Sequence, residues 1–144
     1  MNNNRLGKAY KKLGDYDKAI EHLNIVIYLW GQTWGNDANM ASFHYSIAGA
    51  YKEKGDYANA IESYTKSMTI NEELFGKNNK AVAVCNNNIG DICFNNGDYS
   101  NALNYYSKAY EIYKVIYGDD DFRSIKIKEK ISNVKQKLKE SQKK

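Results

Sequence analysis

Apolar side chains recur along this chain at helical spacing, in stripes that glycines interrupt. Ala19, Leu23, Val26 and Ile27 fall on one helix face, as do Ala60, Tyr64 and Ser67, and again Ala102, Tyr106 and Ala109. Ahead of each stripe stands the same triplet, Gly14-Asp15-Tyr16, Gly55-Asp56-Tyr57 and Gly97-Asp98-Tyr99, at intervals of 41 and then 42 residues. Glycine can adopt the left-handed conformation that ends one helix, and aspartate can cap the orphan amides of the next. The pattern therefore predicts a repeated helix, tight turn and second helix, the second helices running from roughly 16 to 34, 57 to 75 and 99 to 117.

Other positions keep the same register. Leu6-Gly7, Ile47-Ala48 and Ile89-Gly90 precede the turn glycine at a constant offset, with Tyr10, Tyr51 and Cys93 three residues further on, and Gly35, Gly76 and Gly118 close the units. Ala19, Ala60 and Ala102, each four residues after the turn aspartate, mark a close crossing where a larger side chain would force two helices apart.

Leu6-Gly7, Tyr10, Gly14, Tyr16, Ala19 and Leu23 resemble the tetratricopeptide repeat signature, and the two later units repeat it with modest substitutions. The period of 41 to 42 residues and the long second helix closed by glycine are similar to the kinesin-light-chain type of that repeat. The resemblance implies an all-α fold, a right-handed α-solenoid of three helix-turn-helix units (about 2–36, 37–77 and 78–120) in a single domain of residues 1–144. The chain contains no proline, so the unit ends lack the family's proline and are expected to depend on Gly35, Gly76 and Gly118 alone and to fray. Residues from about 122 to 140 place Ile127, Ile131, Val134 and Leu138 on one stripe and read as a capping helix over the third unit. The first helix looks clipped, which suggests a piece of a longer array or an open N-terminal end available for self-association.

Charge refines this picture. The formal net charge is +4, yet residues 123–144 alone hold nine basic side chains against Glu129 and Glu140, so a tail of +7 follows a body of −3. An alternative function follows, in which the basic C-terminal helix binds nucleic acid or an anionic membrane surface electrostatically. The tail has neither a run of aromatics for base stacking nor a Gly-Arg run, so no specific nucleic-acid partner is expected. No apolar stretch is long enough to span a membrane, and Met1-Asn2-Asn3-Asn4-Arg5 lacks the apolar core of an export signal. Cys85 and Cys93 lie eight residues apart, about 12 Å along a helix and beyond disulfide reach, and read as reduced core residues of a cytoplasmic protein.

Reactive groups are sparse. The two histidines, His22 and His44, form no His-x-x-x-His pair, and there is no Cys-x-x-Cys, phosphate-binding glycine loop or Gly-x-Ser-x-Gly. His44 reads as a packing residue and His22 as an exposed one. Asp119-Asp120-Asp121 lacks the spacing of a calcium loop. No catalytic residue, metal or cofactor is expected.

The resemblance instead implies a concave face lined by the first helix of every unit. The matching positions are Asn4, Arg5, Lys8, Lys11 and Lys12, then Tyr45, Ser46, Gly49, Lys52 and Glu53, then Asn87, Asn88, Asp91, Phe94 and Asn95. Asparagine both donates and accepts, so it can pair with the backbone of a bound peptide, and Asn87-Asn88-Ile89 is similar to the Asn-Asn-Leu of the kinesin type. Arg5, Lys8 and Lys12 share a face and favour an acidic partner. The clamp for chaperone tails is not reproduced, since Val84, Asn87 and Asn88 stand where cations would be needed. The expected function is a non-catalytic adaptor that holds a protein or peptide partner in this groove.

Overall fold

The computed structural model describes residues 14–142, which form six α-helices and, among the described residues, no strand. In chain order these are α1 (Tyr16–Thr33), α2 (Ala38–Lys54), α3 (Tyr57–Phe75), α4 (Lys80–Asn95), α5 (Tyr99–Tyr117) and α6 (Phe122–Gln142). The chain divides into two compact units, Met1–Leu74 and Phe75–Lys144.

Local chemistry sets the helix boundaries. Gly14, Gly55 and Gly97 have φ of 83°, 92° and 78°, the left-handed region where a side chain would be strained. Asp15, Asp56 and Asp98 then accept from the amides of Lys18, Asn59 and Asn101 at 3.2, 3.4 and 3.3 Å. Both completed turns close alike: the Asp56 amide donates to the Tyr51 carbonyl and the Asp98 amide to the Cys93 carbonyl, each at 2.9 Å.

The connections expected to fray are instead tied by polar side chains. Asp37 caps α2 by accepting from the Met40 amide at 3.0 Å and also accepts from the Trp30 indole at 2.9 Å. Asn79 caps α4, accepting from the Val82 amide at 3.1 Å while its own amide donates to the Gly76 carbonyl. The Ser124 hydroxyl donates to the Gly118 carbonyl at 2.7 Å, and Asp121 accepts from the Arg123 amide at 2.9 Å.

In the first unit, Ala19, Ile20 and Leu23 of α1 pack on Ile47 and Ala50 of α2, flanked by Ile27 and Tyr51. A second cluster joins Met40, Ala41 and Phe43 of α2 to Ile70 of α3, with Val26, Ile27 and Trp30 against it. Burying a side chain such as Leu23 or Ile47 stabilises the fold by about 1.5–3 kcal/mol. Trp30 meets Phe43 edge-on at 5.3 Å between ring centres and Trp34 at 5.8 Å, and Trp34 is 64% exposed.

In the second unit, α4 packs against α5 and α5 against α6. The buried face of α4 carries Cys85, Ile89, Ile92 and Cys93, that of α5 carries Ala102, Tyr106 and Ala109, and that of α6 carries Ser124, Ile127 and Val134. Ile131 and Leu138 are only half-buried, so the contact of α6 is narrower than its apolar stripe.

Candidate functional site

The helical period decides which face of α4 is left for function. With Cys85, Asn86, Ile89, Ile92 and Cys93 turned inward, Asn87, Asn88, Asp91 and Phe94 are left half-buried and Asn95 exposed. Gly90 also faces inward, and the Tyr106 ring of α5 fills the space a side chain would need. That approach brings the Tyr106 hydroxyl to Asp91, to which it donates at 2.6 Å. Burial first, then the hydrogen bond and charge of Asp91, push the Tyr106 phenol far above its ordinary value, so it is a fixed donor at any physiological pH.

A third element completes the cluster. Lys130 of α6 places its Nζ 2.9 Å from Asn87 Oδ1 and 3.0 and 3.3 Å from the two oxygens of Asp91, and 5.5 Å from the centre of the Tyr106 ring. Beside this ion pair lies a cleft of about 190 Å³ lined by Asp91, Phe94, Tyr106, Lys130 and Asn133. Its volume suits one large side chain and falls short of a typical cofactor or drug-sized site. Phe94 is braced edge-on against Tyr99, 5.3 Å between ring centres.

The other sequence-derived positions are scattered in character. Tyr45 is exposed, its ring 5.6 Å from that of Tyr64, whereas Ser46 is buried. Asn88 donates its amide to the Val84 carbonyl at 3.0 Å, one turn back along its own helix. Asn4, Arg5, Lys8, Lys11 and Lys12 lie outside the described residues. Lys130, Tyr106 and Asn133 were absent from the sequence-derived set. The pairing of a glycine in α4 with an aromatic in α5 could have flagged Tyr106, but Lys130 carries no signal beyond being one of nine cations in the tail.

Elsewhere the reactive groups are quiet. Among the described residues no three His, Cys, Asp or Glu side chains are placed to hold a metal ion, and no helix is long and apolar enough to cross a membrane. Cys85 and Cys93 are buried and not bridged to each other; burial, then the charge of Asp98, raises the Cys93 thiol above its ordinary value and keeps it protonated. Of the three neighbouring aspartates, Asp119 accepts from the Tyr110 hydroxyl and pairs with Lys128, and Asp121 caps α6. His22 is half-buried rather than exposed.

Helix pairs closed by Gly-Asp turns and repeated every 41 to 42 residues define a helical repeat protein. The tetratricopeptide repeat family model matches residues 38–114, a second model of the same description matches residues 4–69, and the chain belongs to the tetratricopeptide repeat family. Among solved structures it is similar to BtubC (BKLC) from P. vanneervenii, with a TM-score of 0.77 at 21% identity, over 90% of this chain and 51% of that one. It is also similar to the TPR-like repeats of a putative kinesin light chain from Podosopora anserina, with a TM-score of 0.78 at 15% identity, over 98% and 67% of the two chains. The TPR2AB domain of yeast Sti1, solved in a complex with pHSP90, aligns with a TM-score of 0.73 at 24% identity, over 97% of this chain and 47% of that one. The chain thus spans about half the length of the BtubC and Sti1 chains, and at these identities the likeness is one of fold. No curated protein sequence matches it.

Proposed function

We propose that this chain is an adaptor that holds a peptide segment of a partner protein against the first helices of its repeats and performs no chemistry of its own. The observation that carries this reading is the α4 face. Asp91 lines a cleft large enough for one anchoring side chain, beside the Phe94 and Tyr106 rings, and Asn87 and Asn88 stand half-buried on the same helix. In the sequence, Arg5, Lys8 and Lys12 would favour a partner that carries carboxylates. Buried, unbridged Cys85 and Cys93 suit a reducing, cytoplasmic setting.

The test is affinity capture with the full chain, followed by titration of the captured partner against Phe94→Ala and Asn88→Ala. Each should weaken binding by roughly 1 kcal/mol or more, about fivefold, while the melting temperature stays within error of the parent. Unchanged affinity for both variants rejects the groove.

The electrostatic alternative is weakened by the pairing within the chain. Arg123, Lys128 and Lys130 are engaged by Asp121, Asp119 and Asp91 at 3.1, 3.3 and 3.0 Å, which leaves Lys135, Lys137 and Lys139 as the cations of the last turns. Deleting residues 123–144 would also strip Ile127 and Val134 from the core, so the informative variant reverses charge at Lys135, Lys137 and Lys139 together. Binding lost there and kept in Phe94→Ala would transfer the function to the tail.

A further inference from the structure

The Lys130 ammonium is turned into a set of acceptors. Asn87 and Asp91, one turn apart on α4, present three oxygens between 2.9 and 3.3 Å from its Nζ, and the Tyr106 ring lies 5.5 Å below it. Tyr106 also donates to Asp91 and so fixes the carboxylate in place. A primary ammonium has three hydrogens and no acceptor, and it is attracted to the face of an aromatic ring. These side chains meet each of those requirements, and two of them, Asn87 and Asp91, stand on the α4 face assigned above to the partner.

We infer that Asn87, Asp91 and Tyr106 form a lysine-reading subsite for a partner peptide, with Lys130 as its resident competitor. The inference rests on the peptide-binding reading of the α4 face. The Lys130 and Asp91 side chains are 30% and 28% exposed, so their pair is wet enough to open. A lysine swings out through its own four rotatable bonds, and α6 remains anchored by Ile127 and Val134. The neighbouring cleft reaches the same carboxylate between Phe94 and Tyr106, which would hold the aliphatic stem of an incoming lysine. A glutamate entering there would meet Asp91 as a like charge. Lys130 sets a threshold, because a segment displaces it only by adding contacts along the rest of the helix face.

The experiment titrates the 144-residue chain and its Lys130→Ala variant, following backbone amide NMR shifts. The probes are propylammonium chloride, acetyl-Ala-Lys-Ala-amide, acetyl-Ala-Glu-Ala-amide and butane-1,4-diamine. A second variant, Lys130→Gln, keeps most of the stem in case the truncated one folds poorly. Removing the competitor should let propylammonium and the lysine peptide bind on α4 at least about fivefold more tightly than to the parent. The glutamate peptide should stay inert, and adding Asp91→Asn should abolish the response. Equal binding to variant and parent, equal response to the two peptides, or binding that survives Asp91→Asn overturns the inference. So does a diamine that binds far more tightly than the lysine peptide, which would make the site a polyamine pocket. Should these probes fail while Phe94→Ala still weakens the captured partner, the lysine subsite alone is lost. The groove itself fails separately, when the Phe94 and Asn88 variants bind that partner like the parent.

Discussion

Gly90 and Tyr106 are matched by absence and bulk: a Cβ built on Gly90 would lie 2.6 Å from two ring carbons of Tyr106. The contact sets the spacing of α4 and α5 and, through the same ring, the position of the hydroxyl that binds Asp91. Gly90→Ala should therefore destabilise the protein by about 1–3 kcal/mol, despite the better helix propensity of alanine. Denaturant unfolding measures it. Combining the substitution with Tyr106→Leu should recover part of the loss, and a stable single variant would mean the helices are not this close.

Ala60, fully buried in α3, occupies the equivalent of Ala19 and Ala102, which are equally inaccessible. Ala60→Leu should overpack the crossing and cost about 1–3 kcal/mol. An unchanged thermal midpoint would show that the site has room to spare.

On α6 the apolar stripe is not used evenly. Val134 is wholly inaccessible and Leu138 is half-buried. Val134→Ala is expected to cost about 1–3 kcal/mol and Leu138→Ala clearly less, because only the first leaves a cavity in packed surroundings. Chemical denaturation of the pair gives the order, and a larger loss at Leu138 would contradict the seating of the helix.

His44 introduces a pH dependence. Burial, and secondarily the charge of Lys66, hold its imidazole below the ordinary value of 6.5. Above pH 6.5 the residue is neutral in both folded and unfolded chains and has no effect on their balance. As the pH falls below 6.5 the unfolded chain takes up the proton first, so stability drops until the lowered folded value is passed. His44→Gln should flatten that part of the stability profile, as read by unfolding experiments between pH 7 and 5. An identical slope in the variant would assign the effect to other groups.

The Gly-Asp-Tyr triplets made most of the fold legible. The second helices end within a residue of where the sequence put them, because a positive-φ glycine and an Asx cap are chemistry of adjacent residues. Which side of α4 is left half-buried follows from helical period in the same way. Contacts from afar were not. Lys130 reaches Asp91 across 39 residues of chain, and nothing in a tail with nine cations distinguishes the one that turns inward. Asn88 adds a local competition: its side-chain amide donates to the Val84 carbonyl one turn back, which period alone does not register. Asn86 was passed over altogether; it is buried, donates to the Val82 carbonyl, and leaves its side-chain oxygen without a partner among the described residues.

The indole of Trp30, bonded to Asp37 and edged by Phe43, has a practical consequence for following the molecule in solution. Trp30 and Trp34 are the chain's two tryptophans, and both belong to the unit Met1–Leu74. Tryptophan emission therefore reports the melting of that unit alone, with a shielded fluorophore and a wet one seven and three residues before the Asp37 cap. Far-ultraviolet circular dichroism instead sums helices of both units. Recorded on one sample, the two signals become separate channels, and a gap between their midpoints would give the difference in stability between the two halves without cutting the chain.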